Sequence, residues 1–214
     1  MDYSRALALF LVVLSFIIAV YEYPSMPERM ASHWNYKGEI DGYMPKLWGL
    51  FLMPVLSLVL LVYFFLIPGI DPLKRNIKEF IGYYDGFILA FTAFLFYLFV
   101  LTILLNQGYG FNMTQSLSPA FGILFYYLGI LMKNAKRNWF VGIRTPWTMS
   151  SDVVWEKTHT LGGKLFKLSG LIALVGVFSA DYGLFFVIVP ILVFSAYLVV
   201  YSYLEYRKEN SIKH

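Results

Sequence analysis

GFILAFTAFLFYLFVLTILLNQGYGFNMTQSLSPAFGILFYYLGILM, residues 86–132, runs its whole length without an Asp, Glu, Lys or Arg. A membrane-crossing helix takes about 20 mostly apolar residues. The run is therefore too long for one crossing and suits two. Asn-Gln-Gly-Tyr-Gly-Phe-Asn at 106–112 supplies the turn, and Ser118-Pro119 reads as the start of the second helix. The stretch predicts a helical hairpin with spans near Phe87–Leu105 and Pro119–Met132.

The rest of the chain agrees with that hairpin. Of 214 residues, 59% are hydrophobic and only 14% charged. Soluble proteins carry about 25% charge, so a water-soluble globule of this size would lack the polar surface to cover itself. Disorder needs low hydrophobicity and is excluded. With no cysteine, thiolate catalysis, Cys-ligated zinc and iron–sulfur chemistry are excluded too. What remains is an integral membrane protein.

Four further spans flank the hairpin. Ala6–Tyr21 is short, but Tyr3 and Ser4 extend it, and no cleavage site follows, so it reads as a helix rather than a signal peptide. Leu47–Pro68 is free of charge and has Pro54 inside. The fifth span has only Leu168–Ala180 uncharged. A helix starting near Asp152 repairs this, with Lys164 and Lys167 snorkelling to the surface. Leu184–Leu204 is the sixth, joined to the fifth by a turn at Asp181-Tyr182-Gly183. The expected fold is all-α: six transmembrane helices in three hairpins, one membrane domain over 1–214. Polar sequence of any length is confined to an outer loop, 22–46, and an inner signature loop, 133–164.

Charge orients this frame. Six crossings place both termini on one side, with Arg5, Lys74, Arg75, Lys78, Lys133, Lys136, Arg137, Arg144, Lys157, Lys164, Lys167, Arg207, Lys208 and Lys213. The other side receives only Arg29, Lys37 and Lys46. The positive-inside rule then predicts a cell-membrane protein with both termini cytoplasmic. The basic inner face suits anionic lipid, with no direct nucleic-acid role. Segment 69–85 reads as an inner amphipathic helix: Asp71-Pro72 is a start signal, and Leu73, Ile77, Phe80, Ile81 and Tyr84 recur at helical spacing.

In the outer loop, Ala31–Tyr36 suggests a short strand, with Lys37-Gly38 and Asp41-Gly42 as turns, together a small β-hairpin. His33 with Asp41 or Glu39 suggests a grip on a ligand. Equally, His33 and Asn35 suit bonds to the loop's own backbone, with Trp34 anchored at the interface. One His and two carboxylates make a weak metal set, and no metal or other cofactor is expected. In the inner loop, Gly142 allows unusual backbone, Pro146 biases Thr145 away from helix, and Ser150, Ser151 and Asp152 start a helix. Asp152, Trp155 or Glu156, and His159 then share a face. Glu156-x-x-His159 has di-metal spacing, but such sites need two copies and more Glu; polar contacts at the membrane surface are the simpler expectation. Arg144, near Trp139, Trp147 and Trp155, suits stacking, phosphate contact or a structural lock. No P-loop, Gly-x-Ser-x-Gly or His-Glu-x-x-His pattern occurs, so no catalytic residue is expected.

Two runs carry a resemblance. One is Pro27…His33-Trp34-Asn35-x-x-Gly38-x-x-Asp41-Gly42…Lys46. The other is Asn134…Asn138-x-x-x-Gly142-Ile143-Arg144-Thr145-Pro146-Trp147-Thr148…Trp155…His159…Gly162. In this order on six helices, the chain resembles the SdpI-type immunity and signalling family, including its N-terminal domain-of-unknown-function segment. The resemblance implies a non-enzymatic protein that protects its cell from a secreted peptide toxin. It further implies that the outer loop faces the toxin and that the inner face holds a transcriptional repressor protein at the membrane. Two rivals stand beside it. A small-molecule or lipid transporter would need a polar cavity, for which Asn106, Thr92, Thr102 and Ser57 are the candidates. A membrane metalloenzyme would rely on His159.

Overall fold

The structure is a computed structural model and describes residues 3–179 and 181–212. Ala180 and Lys213, which enter the span and charge readings above, lie outside the described residues. Six long helices are apolar enough to cross a membrane. They are α1 (Tyr3–Glu22), α2 (Lys46–Ile70), α4 (Ile81–Asn106), α5 (Met113–Asn134), α7 (Asp152–Val175) and α8 (Gly183–Ile212). Short helices α3 (Lys74–Glu79) and α6 (Pro146–Ser150) join them, and strands β1 (Arg29–Trp34) and β2 (Ile40–Pro45) form an antiparallel hairpin. The chain is thus a multi-pass membrane protein of three helical hairpins.

The spans pack as two groups of three. α1, α2 and α4 form one, α5, α7 and α8 the other, and α4 meets α5 between them. Residue size explains both. α1 turns Ala8, Val12, Ser15 and Ala19 inward, a small-residue stripe at helical spacing that lets it lie close to its neighbours. α5 and α7 meet through glycines. A Cβ on Gly163 would lie 2.8 Å from the Gly129 carbonyl oxygen, and one on Gly122 would lie 3.0 Å from that of Gly170. Lipid offers no hydrophobic drive to bring helices together, so contact between backbones supplies the packing.

Three boundaries differ from expectation. α5 starts at Met113, not near Pro119. Asn112 caps it, its side chain accepting from Gln115 N at 3.0 Å. Asn is as good a cap as Ser, and it comes six residues earlier. Pro119 then lies inside the helix, where it removes one backbone bond. The inner helix of 69–85 is in fact broken. α2 continues to Ile70, α3 has six residues, and Phe80 interrupts before α4. Asp71 causes the break. Its carboxylate is buried, accepting from Leu73 N (2.6 Å) and from Trp139 N across the fold (2.9 Å). Asp41-Gly42 is not a turn but part of β2, because Asn35 closes the hairpin earlier.

Candidate functional site

The polar groups gather at opposite ends of the bundle, around the β-hairpin and around the signature loop. At the hairpin end, Met26 and Met30 are buried against the helices, which fixes which strand face looks out. Two asparagines clamp the hairpin to the α4–α5 connection. Asn106 pairs with β1 as a third strand would: its Oδ1 accepts from Ala31 N (2.7 Å) and its Nδ2 donates to Ala31 O (3.1 Å). Asn112 Nδ2 donates to Lys37 O at 2.5 Å.

The tip is organised by Asn35. Its Oδ1 accepts from the backbone N–H of Lys37 (2.9 Å) and of Glu39 (3.1 Å), and its Nδ2 donates to Glu39 Oε2. Gly38 follows with φ +79°, and a Cβ there would collide with Asn112. Lys46 closes the base, bonding Glu28 at 2.7 Å and lying over the Tyr23 ring. These three residues therefore build the loop. His33 and Asp41 do something else. They pair at 2.5 Å on the outer face, with side chains 73% and 43% exposed. Trp34 is half-buried, its indole N–H enclosed without a hydrogen-bond partner among the described residues. Tyr36, Ile40 and Tyr43 add exposed apolar surface beside the pair. The surface combines a His bonded to a carboxylate, aromatic rings and free strand backbone, groups suited to contacting a peptide.

At the other end, the signature loop is a knot tied by its own polar side chains. Asn138 is fully buried and makes four bonds: it donates to Lys136 O and Val141 O and accepts from Phe140 N and Val141 N. Gly142 takes φ +113°, which brings the backbone down onto His159. Ile143 N–H then donates to His159 Nε2 (3.0 Å), and Nδ1 bonds Trp155 O (2.8 Å). Since Nε2 accepts, the proton sits on Nδ1 and the ring is neutral. Trp155 stacks on that ring at 3.8 Å and donates to Ala135 O. Thr145 caps α6 in a reciprocal pair with Thr148 and bonds Ser202 of α8 at 3.0 Å. Trp147 packs on Tyr203. Arg144 is exposed and donates to Trp139 O, so it holds the loop. Asn134 bonds within its own helix, to Ile130 O. Glu156 faces outward, away from the nitrogens of His159, which are both engaged.

Several contributors escaped the sequence reading. Asp71 has the sequence signature of a cap, but in the structure it also ties α2 to the signature loop. Asp85 is buried and pairs with Arg5 at 2.8 Å. Glu205 of α8 takes both Lys157 and Lys208. Asn106 was a transport candidate and is a clamp. The signal was available for that last case alone: two asparagines bracket a glycine-rich turn.

Two known sequence families match these same two regions. The SdpI/YfhL protein family matches residues 134–203, from the end of α5 to Tyr203. A domain of unknown function, DUF1648, matches residues 10–58, which enclose the β-hairpin. The chain resembles SdpI. It is 26% identical over 208 residues to the immunity protein SdpI of Bacillus subtilis (strain 168), covering 97% of this chain and 98% of that one. This SdpI-like likeness is therefore collinear and nearly complete. No solved structure matches significantly.

Proposed function

We propose that this chain is a membrane immunity protein that protects its cell against a secreted antimicrobial peptide, recognised at the β-hairpin. The supporting observation is the end-to-end likeness to a protein named for immunity, with no large insertion or loss. The hairpin adds a rationale. It is rigidly seated through Asn106 and Asn112, yet it presents His33, Asp41, Tyr36 and Tyr43 outward. A seated, pre-organised surface loses little entropy on binding. In this reading the hairpin lies outside the cell and both termini lie inside, as the distribution of Lys and Arg favours. The basic end, with Lys74, Arg75 and Lys78 exposed, is then the surface for a cytoplasmic repressor protein.

The test is survival. Cells sensitive to a secreted peptide of this class, expressing the chain, survive doses that kill the empty-vector control. Purified protein binds the peptide, and His33→Ala with Asp41→Ala weakens both effects. Equal killing with and without the chain, together with no peptide binding, overturns the proposal.

A further inference from the structure

A cavity of about 410 Å³ opens at the signature end, between α3, the end of α5 and the first turns of α7. Three separate elements bound it, and tertiary bonds hold them in place. Asn76 of α3 donates to Arg137 O (2.7 Å), and Trp155 of α7 donates to Ala135 O (2.8 Å). The stacked Trp155–His159 pair forms part of its wall.

The charged lining is balanced. Lys133, Lys136 and Arg137 stand against Glu79, Asp152 and Glu156. Arg137 and Asp152 neutralise each other at 2.9 Å. The other four are exposed and form no ion pair among the described residues. Two unpaired cations and two unpaired anions around one space match a zwitterion. A simple anion would satisfy the lysines and repel the carboxylates; a simple cation would do the reverse. The depth of the cavity narrows the class further. Lys133 lies in the last turn of α5, and Glu156 and His159 lie in the first turns of α7, ahead of its most apolar stretch. The site is therefore level with lipid headgroups. A primary ammonium gives its three N–H donors to carboxylates. Choline has none and relies on open aromatic faces, whereas one face of Trp155 is taken by His159.

We propose that this cavity binds the headgroup of an aminophospholipid of phosphatidylethanolamine type. Lys133 and Lys136 take the phosphate, and Glu156 and Glu79 take the primary ammonium. The site is separate from the hairpin surface and holds whether or not the immunity reading does.

Native mass spectrometry of the full chain, released from detergent with an equal mixture of phosphatidylethanolamine, phosphatidylcholine and phosphatidylglycerol, tests it. Phosphatidylethanolamine is retained about tenfold over each of the others, the factor expected from a charge-assisted bond the others cannot make. Glu156→Gln and Lys136→Gln each remove the preference. Both side chains are exposed, so an unchanged melting temperature certifies the fold. Equal retention of the three lipids overturns the proposal, as does a preference that survives both substitutions. Displacement by free phosphoethanolamine at a concentration matching the lipid overturns the lipid source, because the soluble zwitterion alone would then suffice.

Discussion

Asn106 and His33 separate stability from recognition at the level of single residues. Asn106→Leu keeps the branched shape but removes both bonds to Ala31, stranding an N–H and a C=O under the hairpin. Leaving buried groups unpaired costs about 1–3 kcal/mol each. The expected outcome is a melting temperature in detergent several degrees lower and faster proteolysis between β1 and β2. His33→Ala removes only an exposed side-chain contact and leaves melting unchanged, since exposed polar contacts contribute little whether or not the ring is charged. Protection against peptide should fall in both variants, but for Asn106→Leu it should return when the temperature is lowered. At the signature end, His159→Ala removes the acceptor of Ile143 N–H and the stacking partner of Trp155. A loss of about 2–4 kcal/mol is expected, summing a stranded donor and a cavity, read as an earlier thermal transition and altered tryptophan fluorescence. If His159→Ala melts like the parent, the ring is not the keystone of the loop. The types at these positions are legible in the sequence, where Asn138, Gly142 and His159 stand out from an apolar chain. Their partners were not, because a bond between residues 16 or 75 apart leaves no local pattern.

At the scale of elements, glycine contacts distinguish the two halves. Gly163→Val places side-chain atoms where the Gly129 carbonyl lies, and no rotamer avoids it because the conflict begins at Cβ. Forced separation of α5 and α7 costs about 1–3 kcal/mol or more, seen as reduced thermal stability in detergent. Gly82→Ala is the control. Nothing lies within 4 Å of a Cβ there, and the position is helical, so stability holds or rises slightly. If both variants behave alike, close backbone contact is not what joins α5 to α7. The same physics explains which boundaries sequence could place. Spans read well where hydropathy alone decides, as for α2 and α8. The start of α5 did not, because two capping signals competed and the earlier one had better side-chain geometry. Segment 69–85 has true helical periodicity, and Ile77 and Phe80 do point inward. It breaks because Asp71 is drawn to Trp139, a tertiary demand that outweighs a weak local preference.

Over the whole molecule, both polar ends are attached to one helix, α5. The hairpin is clamped to the end of α4 and the start of α5, while the signature loop leaves the far end of α5 and bonds α8 through Ser202 and Glu209. Anything that displaces the hairpin therefore pulls on α5, whose far end enters the signature knot. Coupling in this sense requires that the two ends lie on opposite sides of a membrane, and that arrangement is directly measurable. The chain contains no cysteine, so a single introduced thiol reports its own location without background. Glu39→Cys sits at the exposed hairpin tip and Arg75→Cys on the exposed surface of α3, at the other end. With a membrane-impermeant maleimide on intact cells, Glu39→Cys labels and Arg75→Cys labels only after lysis. Neither substitution touches a span or a buried bond of the knot, so expression should match the parent. Labelling of Arg75→Cys in intact cells would invert the topology, and labelling of both would break the odd number of crossings between them. Fourteen of seventeen basic residues on one face make the first outcome the expected one. The immunity reading depends on it, because a secreted peptide can meet the hairpin only if the hairpin is outside.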